Sequence, residues 1–301
     1  MILIIINVAV FLLDIVLHDY FGVSLNVRMG EILAPPAPGQ PPTLTPVYQA
    51  FPPLRALGHF STYTAFTELQ FWRFITFQFL HGNFTHLLLN MIGLYFFGPP
   101  VEQFLRSRKR FLAFYLTCGI FGGFLYLILN LAGNLINLNI PGLLIGPVTT
   151  PLIGASAGVF GILMASAFIA GNQVMYVFMV LPMKIKTGAY LFVALAAINL
   201  FVRQGPNQGG DAAHLGGAAA GFFFIRRHHM LHDFFDILGP SKKKKGKRGN
   251  APASRKPSKA KPAVDTATLD RILDKVRDEG LQSLTEKERR LLEKASKDKR
   301  G

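Results

Sequence analysis

Four side chains suited to acyl-transfer chemistry lie in apolar surroundings: Ser156 in "IGASAG" (153 to 158), His214 in "AHLGGAAAG" (213 to 221), and His86 and Asn90 in "HGNFTHLLLN" (81 to 90). A serine becomes a nucleophile when a neighbouring base takes its proton, and histidine is the side chain best matched to that exchange near neutral pH. Attack on a carbonyl puts negative charge on its oxygen, which the Ser156 backbone N–H and the side chains of His86 and Asn90 can meet. A site of this kind uses neither a metal nor a cofactor. No HExxH or other zinc-ligand spacing occurs, and Cys118 is the single cysteine, so no intrachain disulfide can form. The plainer reading is that "GASAG" packs helices and the histidines are structural. The placement of all four residues at one depth favours chemistry.

That depth follows from the elements that carry them. Half of the residues are hydrophobic and only 16% are charged, which marks a membrane protein. Apolar runs near the bilayer-crossing length of about 20 residues predict six helices, at 1–17, 84–97, 111–131, 151–171, 187–201 and 212–225. Most are apolar all round and not striped, against a soluble bundle. The first has no basic flank or small-residue cleavage site and reads as a retained helix. In an alternating arrangement the second, fourth and sixth helices run the same way, and His86, Asn90, Ser156 and His214 all fall in their first two turns. Burial without partners would cost a few kcal/mol apiece, so these groups should face one another or water. His86 and Asn90 share a helical face, as do Ser156 and Phe160, and His214 shares one with Gly217 and Gly221. Small residues let membrane helices approach closely, so the glycine face can bring His214 to Ser156.

The net charge of +15 comes mostly from Lys and Arg beyond residue 225, including "KKKKGKR" at 242–248. Together with "RSRKR" (106–110) and Lys184 and Lys186, this predicts a cytosolic C-terminus. The predicted organisation is a membrane domain over 1–235, with a large outer loop over 18–83, then a basic disordered linker over 236–264 and a small charged helical hairpin over 265–301. The linker suits anionic lipid head groups better than nucleic acid, which is not expected as a partner. In the hairpin, Leu269, Ile272, Leu273 and Val276 recur at helical spacing, Gly280 is a stop, and Thr285 with Glu288 forms a capping-box pattern. So short a hairpin should dock, on a cytosolic partner or elsewhere. Trp72 and Arg73 in the loop suit a lipid interface.

Taken in order, "WR" (72–73), "HGNFTHLLLN" (81–90), "GASAG" (154–158) and "AHLGGAAAG" (213–221) resemble the rhomboid family of intramembrane serine proteases. The resemblance implies an all-α, six-transmembrane-helix bundle and a Ser-His dyad, with Ser156 as nucleophile and His214 as general base and acid. His86, Asn90 and the Ser156 backbone would serve the oxyanion. It also implies supporting roles for Gly154 before the serine, for Phe160 stacked on the histidine where relatives often carry tyrosine, and for Gly217 and Gly221 in close packing. His81 and Glu102 resemble structural residues. Asp211 is left out of the site, as a loop residue near water in a family that resembles an acid-free dyad. The implied activity is hydrolysis of peptide bonds in or beside transmembrane segments of other proteins. The implied setting is a cell membrane, in multi-pass form, with the site near the outer leaflet, as in a bacterial inner membrane. A proteolytically inactive rhomboid-like chaperone or adaptor is the alternative.

Overall fold

The computed structural model describes residues 2–34, 43–138, 140–177, 181–203, 207–231, 234 and 266–298. The predicted linker over 236–264 lies outside the described residues. The chain divides into two units, Met1–Lys242 and Lys243–Gly301.

The first unit opens with α1 (Ile2–Ile15), a mostly aliphatic run interrupted by Asn7, Phe11 and Asp14 and extended by a wider turn to Tyr20. Asp14 stands near its end. It is buried, accepts from Leu54 N at 2.8 Å and pairs with Arg55 Nε at 2.8 Å, which staples α1 to the loop that follows. That loop departs from the all-α expectation. Strands β1 (Leu25–Ala34) and β2 (Thr43–Phe51) pair antiparallel from Leu25↔Phe51 to Ala34↔Thr43, with a bulge between Arg28 and Gly30. The bulge frees the carbonyl of Met29, which accepts from the Thr149 hydroxyl at 2.5 Å. Two short helices complete the loop, α2 (Pro53–Gly58), started by a proline in its first turn, and α3 (Arg73–Thr76). The alternating apolar signal of a half-buried strand is missing from β2, whose side chains are mostly exposed, so nothing in its pattern announces a strand.

Helix α4 (Phe84–Leu105) starts at Asn83, whose side chain accepts from His86 N at 2.8 Å, and continues through Pro99 and Pro100 to a left-handed Arg106. It therefore runs eight residues past its predicted end at 97. Helix α5 (Arg108–Ile136) is capped by Ser107 and buries Asn130, which accepts from Thr62 Oγ1 at 2.6 Å and donates to Leu144 O at 3.0 Å. That single amide holds two loops on one helix. Helix α6 (Ser156–Ala170) begins five residues later than predicted, because Pro151 and a Gly154 with φ of +136° keep the preceding backbone extended. After a short antiparallel pair, β3 (Val174–Val177) with β4 (Leu181–Lys184), come α7 (Ile185–Ile198) and α8 (Gln208–Arg226). Helix α8 packs most extensively on α5 and α6, and α6 also packs on α4.

The protein is mostly helical, and three helical stretches are long and apolar enough to cross a membrane: Ile2–Tyr20, Arg108–Ile136 and Ile185–Val202. Helix α6 is a shorter apolar helix, and α4 and α8 carry polar and small residues among their apolar ones.

The second unit is a helix pair, α9 (Thr266–Glu279) and α10 (Glu286–Asp298), with Gly280 at φ +83° between them. The capping box forms as its pattern predicts. Glu288 accepts from Thr285 N at 2.9 Å and from Thr285 Oγ1 at 2.8 Å, and Thr285 Oγ1 accepts from Glu288 N at 3.4 Å. These bonds, with Lys275 Nζ at 3.2 Å, hold the Glu288 carboxyl down to about 2. Ile272 and Leu284 are its buried apolar residues among those described.

Candidate active site

Glycine dictates how α6 and α8 meet. A Cβ on Gly217 would stand 2.0 Å from the Ala157 carbonyl oxygen, and one on Gly221 would stand 2.2 Å from the Gly161 carbonyl oxygen. From the other side, a Cβ on Gly122 of α5 would meet the Ala213 carbonyl at 2.6 Å. Backbone thus lies on backbone along both faces of α8, which leaves His214 no freedom to drift from α6. His214 Nε2 lies 2.8 Å from Ser156 Oγ. The ring of Phe160, one turn along α6, stacks on the imidazole at a centroid separation of 4.2 Å with 3° between the planes. One helix supplies both the hydroxyl and the ring that fixes its neighbour.

Ser156 is the first residue of α6, so its backbone N–H has no acceptor within the helix. The approach to it is pinned. Gly154 N donates to Phe77 O at 3.0 Å, and Leu152 exchanges two backbone bonds with Phe60, at 3.0 and 2.6 Å. Besides its glycine-only φ, Gly154 leaves space: a Cβ there would lie 2.8 Å from His86 Cε1 and Nε2 and 3.5 Å from Ser156 Oγ. The His86 imidazole and the Ser156 hydroxyl therefore converge on the same small volume, where a carbonyl group could present its carbon to the hydroxyl and its oxygen to His86. Asn90 is buried one turn below, and its Nδ2 donates to His86 O at 2.9 Å. That bond uses one of the two amide hydrogens and fixes the direction of the other.

Behind His86, the His81 ring packs edge to face at a centroid distance of 5.0 Å, is 1% exposed, and has no hydrogen-bond partner on either nitrogen. Burial, with the neighbouring His86 second, pushes its imidazole down to about 3. The folded protein thus holds His81 neutral, whereas the unfolded chain protonates it below about 6.5. Its stabilising contribution is complete above that pH and declines as pH falls from about 6.5 toward 3, by at most about 1.4 kcal/mol per pH unit. Unfolding of the detergent-solubilised protein at pH 7 and pH 5 should show this slope, flattened in His81→Leu. An unchanged slope in that variant would refute it.

Two expectations are corrected. Arg73 does not rest at a lipid interface beside the exposed Trp72. It is buried, and its guanidinium donates to Ala56 O at 3.2 Å, His59 O at 2.7 Å and Gln70 Oε1 at 2.5 Å, tying the loop together. Asp211 is not in a loop near water. It lies in the first turn of α8, is buried, and has its Oδ1 3.7 Å from His214 Nδ1. The "QGG" before it misled the boundary, since glycine pairs read as a turn. The packing role of Gly122 also escapes the sequence, where "GG" at 122–123 has no recognisable partner; its spacing in an apolar run is the one signal available. Glu102 sits in the last turn of α4, 3.9 Å from Arg108 Nε, away from the hydroxyl. Among the described residues no cluster of three metal-ligating side chains occurs.

A family model described as Rhomboid domain matches residues 68–229, a stretch that contains Ser156, His214, His86, Asn90 and Phe160. Residues 262–298 match a second, described as Family of unknown function (DUF6576). Among curated proteins, the chain is 33% identical over 93 residues to "Putative rhomboid protease YdcA" of Bacillus subtilis (strain 168), a match covering 31% of this chain and 38% of that relative. The chain thus spans well under half the length of the curated relative it matches. No solved structure matches.

Proposed function

The chain belongs to the rhomboid family of membrane proteins, and from that premise we propose that it is an intramembrane serine endopeptidase acting through a Ser156–His214 dyad. The observation that carries this reading is the 2.8 Å separation of Ser156 Oγ and His214 Nε2 under a stacked Phe160. Ser156 Oγ attacks the scissile carbonyl carbon as its proton passes to His214 Nε2. The carbonyl electron pair moves to oxygen, facing the Ser156 N–H, His86 and the free amide hydrogen of Asn90. Collapse expels the amine, which takes the proton from His214, and water then hydrolyses the acyl-enzyme by the same route in reverse. A substrate helix must first unwind, since its own hydrogen bonds hide the scissile carbonyl. Transmembrane segments weak in helix propensity are therefore the preferred substrates.

In this reading α1, α4, α5, α6, α7 and α8 are six transmembrane helices of a domain over 1–235, with the site near the outer leaflet of a bacterial inner membrane and the C-terminus cytosolic. The basic residues of 236–264 engage anionic lipids, and the 265–301 hairpin serves a cytosolic partner. The alternative, an inactive rhomboid-like chaperone or adaptor, has no need of a hydroxyl and an imidazole at bonding distance. A fluorophosphonate probe separates the two. The parent protein should label stoichiometrically and Ser156→Ala not at all; an unlabelled parent of intact fold would favour the adaptor.

A further inference from the structure

Helices α5, α6 and α7 contain no Asp or Glu, and α4 contains only Glu102, about 24 Å along its axis from His86. Asp211 is therefore the one carboxylate that the helices around His214 bring to its ring. It is 5% exposed, and its Oδ1 lies 3.7 Å from Nδ1, on the side of the imidazole opposite Ser156. Among the described residues its side chain has no hydrogen bond. The separation is beyond a hydrogen bond and within the range of a charge pair. A carboxylate buried this far is costly unless a donor or a positive charge faces it, and His214 is what faces it. The two are three residues apart on one helix, a spacing that stacks side chains on a common face.

We propose that Asp211 is a positioning residue for His214: its carboxylate favours the ring form with the hydrogen on Nδ1, so that Nε2 is free to accept, and steadies the imidazolium that forms as Ser156 attacks. The proton stays on His214 throughout this step and does not pass to the Asp211 carboxyl group, as in soluble triads. The proposal rests on the assignment of Ser156 and His214 made above. Because 3.7 Å is longer than a direct bond, the contribution falls short of the roughly 10⁴-fold of a hydrogen-bonded acid.

The test uses the full chain in detergent with a fluorogenic transmembrane peptide. In Asp211→Asn, kcat should fall by roughly tenfold to a hundredfold with KM within about twofold. The rate of fluorophosphonate labelling of Ser156 should fall by the same factor, and Asp211→Glu, which keeps the charge, should recover most of both. A side chain that merely packs would change the unfolding midpoint and leave the labelling rate of folded protein alone. If Asp211→Asn does not fold, Asp211→Ser is read in its place, and failure of both to fold assigns the carboxyl to folding and overturns the proposal. So does a kcat within about twofold of the parent. A parent that neither cleaves nor labels would instead bring down the assignment of Ser156, leaving the two failures distinct.

Discussion

Replacing Ser156 with alanine is expected to lower cleavage of a transmembrane substrate by about 10⁴-fold or more while the protein folds and purifies as before. The substitution removes a single oxygen at the first turn of α6, and the flanking Ala155 and Ala157 show that alanine is accommodated in buried positions on either side. His214→Ala should cost about as much, because the hydroxyl at 2.8 Å from Nε2 is hydrogen-bonded to no other base among the described residues. The double variant should be scarcely worse than either single one, since the two side chains act as a unit and their losses do not add. Residual cleavage by Ser156→Ala within about tenfold of the parent would place the nucleophile elsewhere.

The second large effect is on architecture. In Gly217→Val the new Cβ would stand 2.0 Å from the Ala157 carbonyl oxygen and 2.7 Å from its carbon. Both are backbone atoms that no rotamer change can move, so α8 must back away from α6 by an ångström or more. Overpacking of this kind costs about 3 kcal/mol, and a misplacement of about 1 Å between reacting groups costs about a hundredfold in rate. Gly217→Val should therefore show both a lowered unfolding midpoint and a loss of kcat, with Gly217→Ala intermediate. Gly146, around which a Cβ would meet nothing within 4 Å, supplies the control; Gly146→Ala should change stability by less than about 0.5 kcal/mol. Equal behaviour of the 217 and 146 variants would mean that the close approach of α6 and α8 does not hold the site.

Much of the candidate site is legible in the sequence, because the proposed chemistry needs rare residues in an apolar background. Ser156, His214 and His86 stand out as polar groups that hydrocarbon would penalise, and helical spacing alone puts Gly217 and Gly221 on the histidine's face. What spacing cannot supply is direction. Nothing in "GGDAAH" tells whether its glycines end a loop or begin a helix, and that ambiguity hid the burial of Asp211. The outer loop is harder still. Strand β2 exposes most of its side chains, so the alternation that betrays a half-buried strand never arises, and β1 with β2 is held by backbone bonds to which residue type contributes little. Arg73 misleads for a related reason: its surroundings are carbonyl oxygens, which every sequence has and no sequence displays.

Helix α6 has 15 residues, about 22 Å at 1.5 Å each, against about 30 Å of hydrocarbon in an ordinary bilayer. In a transmembrane α6 the shortfall is made up by the non-helical residues 151–154, and peptide groups that are not helical cannot face lipid tails; they must be met by other protein or by water. Phe60 and Phe77 provide the first kind of company, through Leu152 and Gly154. Next to Ser156 the second kind is what the proposed hydrolysis would consume, so truncating one helix would both recess the proposed nucleophile and keep its co-substrate from being shut out by the fatty interior.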